Sequence, residues 1–212
     1  MKRLAPLALL VLLVGCGGGD RITETREVEP FDRLEVSDDV DVRFVPGEAG
    51  VVRVRGGENV LDRVHTDSSG GVLRVDVRDR GIVIGPDPLG DVVVEVSAAT
   101  LSAVTVEGSG DVTLSGLDAD SLQLEVEGAA DVEASGTVDR LEATIQGAGD
   151  ADLDDLEVRT ARVVVQGAAD ASLNVSDELD VTIEGAGDVT YRGEPDIRSD
   201  IQGAGDIRRE GP

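Results

Sequence analysis

The sequence predicts an all-β solenoid with coils of about 19 residues, and three observations carry that expectation. First, a six-residue unit of the form apolar-Glu/Gln-Gly-Ser/Ala-Gly/Ala-Asp recurs from residue 106 onward, with first glycines at Gly108, Gly128, Gly147, Gly167, Gly185 and Gly203. Their separations of 20, 19, 20, 18 and 18 residues are too short for two helices per repeat and fit one coil of stacked strands. Second, apolar and polar residues alternate on both sides of each unit, the period of a strand with one buried face. Third, 27 Gly, no Trp, one Tyr and two Phe leave a core to be made from Val, Leu, Ile and Ala. That composition suits thin, tightly stacked strands and turns. A soluble helical bundle would want more Lys, Gln and Met and far less Gly.

The chain opens on MKRLAPLALLVLLVGC. Lys2 and Arg3 form a basic segment and Leu7 to Val14 an apolar one, shorter than the ~20 residues that a bilayer span needs. Leu13-Val14-Gly15-Cys16 resembles the bacterial lipobox, in which the cysteine becomes the lipidated first residue of the mature protein. Residues 1–15 are therefore read as a lipoprotein signal peptide, and residues 16–25 as the lipidated Cys16 with a flexible tether. Buried acyl methylenes would supply membrane attachment at about 0.8 kcal/mol each. Cys16 is the sole cysteine, so no intramolecular disulfide can form. Gly17 in place of Asp favours the outer membrane by resemblance to Gram-negative sorting; otherwise the outer face of the plasma membrane is expected.

Residues 26–212 read as one domain, with less regular coils over 26–100 and regular repeats over 101–212. In the first part strands are expected at Leu34–Val36, Val40–Phe44, Val51–Arg55, Val72–Val77 and Val92–Val96, and a short helix at Glu58–His65. In the second part inward residues are assigned by parity: Leu122, Leu124 and Val126 before one unit, and Val132 and Ala134 after it. Equivalent positions in later coils are Leu141, Ala143 and Ile145; Ala161, Val163 and Val165; and Leu179, Val181 and Ile183. Tyr191 is the exception in an otherwise aliphatic set.

The unit itself reads as a corner. Glycine admits positive φ and close backbone approach, so coils can stack about 4.8 Å apart. Asp111, Asp131, Asp150, Asp170, Asp188 and Asp206 are expected to accept hydrogen bonds from turn N–H groups that strand pairing leaves free. The first Gly of each unit is the position that only Gly can occupy, because Ala130 and Ala169 replace the second. Calcium-binding β-rolls use a nine-residue repeat with interleaved turns. Here each turn offers one Asp at twice that period, so no metal site is assigned. Glu107, Glu127, Gln146, Gln166, Glu184 and Gln202 form an outward column. At the C-terminal end, Arg209 falls where an inward apolar residue is due, which discourages addition to that edge.

Phe31-Asp32-Arg33-Leu34-Glu35-Val36, the Val40–Phe44 segment, the serial Gly-Ser/Ala-Gly-Asp turns and the ending Gly185 to Pro195 followed by Gly203 to Ile207 resemble the putative auto-transporter adhesin, head GIN domain family. The resemblance covers residues 31–207. It implies a right-handed parallel β-helix-like fold on an exported protein, often a lipoprotein, and brings no catalytic residues.

Net charge is −25, from 44 acidic and 19 basic residues. Loss of Lys2 and Arg3 leaves 17 arginines against the 44 acids, a balance of −27. Such a surface repels phosphate backbones, which excludes nucleic acid as a partner. No phosphate loop, zinc spacing or serine elbow is present, and His65 has no evident partner. The expectation is a non-catalytic, cofactor-free envelope module that binds an unidentified protein or glycan, with ends that could stack into homo-oligomers. A Ca²⁺-stabilised structural protein and a polysaccharide-active enzyme are the alternatives.

Overall fold

A computed structural model describes residues 10–11, 21–78 and 92–211. Cys16 and the Gly17–Asp20 segment lie outside the described residues. The chain is all-β, wound as parallel coils about one apolar core that includes Phe31 and Phe44 and runs unbroken to Val189. The fold class expected from the repeat is the one observed.

The repeat region is the simplest part. Strands β10 (Val112–Gly128), β11 (Val132–Gly147), β12 (Ala151–Gly167) and β13 (Ala171–Gly185) each run from one corner to the next and pair in parallel with their successors. Each bends twice, so a coil has three sides. In β10 the sides are Val112–Leu114, a short middle side at Leu117–Ala119 and a long side ending at Gly128. The middle side was not resolved by parity; its inward residues are Leu117, Val138, Leu156, Val158 and Val175, all buried. Pairing registers slip only near this side, between Leu114 and Leu117, Glu133 and Ser135, Leu153 and Glu157, and Val158 and Thr160. The variation of coil length between 18 and 20 residues is absorbed there, while the corners stay in register. The inward residues assigned from the alternation are all buried except Tyr191, which packs partly buried against the core.

The N-terminal part is not a plain run of early coils. Strands β3 (Arg33–Asp38) and β4 (Asp41–Pro46) form one coil, and β7 (Val72–Val77) and β8 (Val93–Ala98) another. In space β3 lies between β7 and β9 (Ala103–Gly108), and β4 between β8 and the first side of β10. The chain thus enters at the second coil, drops to the first, then steps over to the third. The outer face of the first coil is closed by antiparallel strands: β5 (Val51–Gly57) on β8 and β6 (Val64–Ser69) on β7. Antiparallel pairing needs no stacked corner, so β5 and β6 carry no glycine unit.

Two expectations need correction here. The helix is a single turn, α1 (Glu58–Leu61), because Val64 and His65 are drawn into β6 opposite Val77 and Asp76. The tether is shorter than residues 16–25, since β2 (Arg21–Glu27) pairs antiparallel with the whole of β5. Beyond it, β1 (Leu10–Val11) pairs with Thr25 and Glu24. Ile22 reaches the core, and Arg26 ties β2 to the cap with N–H donors to the carbonyls of Leu61 (3.0 Å) and Val64 (2.7 Å) and to Thr66 Oγ1 (3.2 Å).

Candidate functional site: the corner ladder

Each corner solves a stacking problem that strand pairing leaves open. At the first glycine φ is +144° in Gly108, +121° in Gly128, +131° in Gly147, +129° in Gly167 and +153° in Gly185. A Cβ at any of them would overlap the carbonyl oxygen one coil below. That oxygen is in use: the N–H groups of Ala129, Ala148, Ala168, Ala186 and Ala204 donate to Gly108, Gly128, Gly147, Gly167 and Gly185 at 2.7–2.9 Å. In these five the first glycine is therefore fixed by both backbone angle and approach, and in Gly203 by approach to the Gly185 carbonyl alone.

The second position behaves differently. Ala130 and Ala169 point inward and are fully buried, filling the corner of the core. At Gly149 and Gly187, in the intervening coils, a Cβ would overlap the carbonyl oxygens of Ala130 and Ala169. The same overlap meets Gly205, above Gly187, so at this level the coil above each alanine carries glycine and the last two coils both do.

The aspartates complete the corner. The backbone N–H of Asp150 donates to Asp131 Oδ1 (2.9 Å), that of Asp170 to Asp150 (3.0 Å), that of Asp188 to Asp170 (2.8 Å) and that of Asp206 to Asp188 (2.9 Å). Each carboxylate caps the next coil's aspartate. The aspartate carbonyls accept from the coil below, as in Val112 to Asp131 and Ala151 to Asp170, both at 2.9 Å. Like charges stack along the column, and the Asp111 carboxyl is raised above its ordinary value of 3.8, first by partial burial and then by Asp41 and Asp131. At the C-terminal end Arg208 answers the ladder, reaching Asp188 (3.1 Å) and Asp206 (2.8 Å).

A further corner escaped the sequence pattern. Asp38-Asp39-Val40-Asp41 underlies Gly108-Ser109-Gly110-Asp111: Asp38 pairs with Gly108, Ser109 Oγ donates to Asp39, and Asp111 N–H donates to Asp41 Oδ1 (3.2 Å). Asp38 takes the glycine's place at φ +76°, and its own carboxylate accepts from Val77 N–H (3.1 Å). The signal was the six-residue step from Val36 to Val42, equal to that from Val106 to Val112.

Outside the ladder the outward column stays on the surface, with Gln166 Nε2 donating to Glu184 at 2.8 Å. An open groove runs along the aspartate ladder itself, lined by Asp150, Asp152, Asp170, Ser172, Asp188 and Arg208. Among the described residues no cluster of three His, Cys, Asp or Glu side chains is arranged to hold a metal ion, and Ser97 is the one polar residue that is buried. His65 lies on β6 in the cap, opposite Asp76.

Comparison with known proteins adds a family. The family model described as "Putative auto-transporter adhesin, head GIN domain" matches residues 30–195. Among solved structures, a "putative adhesin" from Bacteroides fragilis is 19% identical with a TM-score of 0.71, covering 91% of this chain and 98% of its own. A "putative adhesin" from Parabacteroides merdae is 18% identical with a TM-score of 0.56, covering 92% and 98%. A "putative lipid binding protein" from Parabacteroides distasonis is 18% identical with a TM-score of 0.52, over the same shares of 92% and 98%. At these identities the likeness is one of fold. No curated protein matches the chain.

Proposed function

The chain belongs to the putative auto-transporter adhesin, head GIN domain family, and from that premise we propose that it is a non-catalytic, adhesin-like surface protein, held to the cell envelope by lipid on Cys16. Its working part is the exterior of the repeat region. The observation that carries this reading is the register of the corners: they place the same acidic and amide side chains at the same point of every coil. Among the described residues of the repeat region, short bends join the sides, with no side loop between them. What is left is a long, flat, repeated surface suited to an extended or repeated partner. Cleavage before Cys16 removes β1 and leaves β2, at the capped end of the solenoid, close to the anchor.

Two experiments test the two halves. Metabolic labelling with palmitate is expected to mark the wild-type chain and not Cys16→Ser, and only the wild type should enter the detergent phase. Absence of label on the wild type would remove the anchor. For the surface, purified protein is offered peptidoglycan, lipopolysaccharide, collagen and fibronectin, each with Ca²⁺ and with chelator. Saturable binding at sub-millimolar affinity is expected for at least one. A second reading, a Ca²⁺-stabilised structural protein of the envelope, draws on the stacking of like charges at Asp41, Asp111 and Asp131. Loss of thermal stability in chelator without any binding would favour it.

A further inference from the structure

The two ends of the solenoid are finished differently. At the N-terminal end β5, β6 and β2 cover the first coil. At the C-terminal end exposed ion pairs join Arg209 to Glu194 (3.0 Å), and Arg192 to Asp154 (2.7 Å) and Glu210 (3.0 Å). The long side carries one looser pair, Arg198 with Glu178 (3.9 Å). Strand β15 (Asp196–Gly203) pairs with β13 on one edge, and all eight of its residues are exposed. Its register puts Ile197 over Leu179 and Ile201 over Ile183, so both belong to the inward column of the core. They are nevertheless 40% and 43% exposed; among the described residues, Val45 at 39% is the other exposed large apolar side chain.

The sequence of this bare strand is complementary to itself when run in the opposite direction. With Ser199 at the centre, an antiparallel second copy sets Arg198 against Asp200, Ile197 against Ile201 and Asp196 against Gln202, each pair occurring twice. Residues directly opposite in an antiparallel pair place their side chains on the same face, so the isoleucines meet on the core side and the charges outside. Shifting the centre by one residue, to Arg198, sets Arg198 against Arg198 and Asp196 against Asp200, both repulsive. Opposed charges and apolar pairs select one register of an isologous two-fold contact. Edge strands are ordinarily guarded by charges that repel a newcomer; here the charges fit one.

We propose that β15 is a self-association edge, and that two chains join tail to tail through antiparallel β15 strands centred on Ser199, making one continuous core with both caps outward. In a membrane setting this contact joins molecules by the ends away from their anchors. Nothing in it depends on the adhesin reading or on a bound ligand.

The test uses the mature chain, from Cys16 onward, in detergent micelles, with cysteine introduced at one position and a mild oxidant. At the two-fold centre facing Cα atoms lie about 4.5–5.5 Å apart, within disulfide reach, so Ser199→Cys should run as a covalent dimer on a non-reducing gel. Asp196→Cys should not, because its two copies would be about 20 Å apart in this register. The parent chain, with Cys16 alone, sets the background. Arg198→Asp in the Ser199→Cys background should cut the cross-linked fraction at least tenfold, and adding Asp200→Arg should restore it. A monomeric Ser199→Cys, a product of other than twice the chain mass, or equal cross-linking from Asp196→Cys would overturn the proposal. So would a charge reversal that changes nothing.

Discussion

Replacing Gly147 by Ala tests the stacking account where it is least forgiving. The new Cβ would overlap the Gly128 carbonyl oxygen and lie 2.9 Å from its carbonyl carbon, at a φ of +131°. Relief requires the two coils to part by roughly 1 Å or more at the corner, given ordinary carbon contact distances. Two hydrogen bonds between these coils are then lost or stretched, Ala148 N–H to the Gly128 carbonyl (2.8 Å) and Val132 N–H to the Asp150 carbonyl (2.9 Å). At about 1 kcal/mol each they cost roughly 2 kcal/mol, and a side chain held at an unfavourable φ adds about 1–3 kcal/mol. The expected loss is therefore about 4 kcal/mol, a large share of the roughly 5–15 kcal/mol available to a domain. Gly70→Ala is the control, since Gly70 also has positive φ (+62°) but a Cβ there meets nothing within 4 Å. It should cost only about 1–2 kcal/mol, the backbone penalty alone. Urea denaturation followed by far-ultraviolet circular dichroism reads both, with the slope checked for unchanged cooperativity. If Gly147→Ala and Gly70→Ala differ by less than 1 kcal/mol, close approach between coils is not what fixes the corner glycine.

Other consequences are smaller. Asp150→Ala should cost about 1 kcal/mol by leaving Asp170 N–H to water, whereas Asp150→Asn, which keeps an acceptor, should be neutral or stabilising in the same denaturation assay. Added salt should raise the melting temperature of the parent chain more than that of a variant with three corner aspartates changed to Asn, because screening relieves like-charge stacking. The raised Asp111 carboxyl favours its neutral form in the folded state, so its contribution is full below the ordinary value of 3.8 and is lost as pH climbs through the raised value. Asp111→Asn should accordingly be at least as stable as the parent at pH 7, with the difference vanishing in acid melts below that value. Arg26→Ala removes donors to Leu61, Val64 and Thr66 and should cost about 2–3 kcal/mol, seen as faster amide exchange in β2 and β5; Lys at this site should not restore it.

The repeats were legible because their physics is local in sequence. A corner that tolerates only glycine and a core face with period two both print themselves on the chain every 18 to 20 residues. The middle side was hidden because its residues, such as Leu117 and Val138, fall where coil length varies and parity is lost at the bulges. The Asp38–Asp41 corner was hidden because Asp38 takes the left-handed position (φ +76°) with its carboxylate accepting from Val77 N–H, so the glycine mark disappears. Strand β2 reads as polar tether because only Ile22 reaches the core, its remaining hold coming from Arg26 and from pairing with β5. The out-of-order entry of β3 and β4 has no local mark at all; it is a property of topology. At the far end, the apolar pair in β15 continues the inward column so regularly that the alternation alone marks it as core, and only the structure leaves it uncovered.

The most direct test of the surface reading is to bind fluorescent protein to the probe that saturates in the panel, then repeat with the outward column changed. The variant carries Ala at Glu107, Glu127, Gln146, Gln166 and Glu184, exposed or half-buried positions whose loss leaves the corners and core intact. With an unchanged circular dichroism spectrum, its affinity is expected to fall at least tenfold while the parent binds at sub-millimolar concentration. Equal affinity of parent and variant, or no saturable binding of the parent to any probe in Ca²⁺ or chelator, would contradict the assignment of the repeat exterior as an adhesive face.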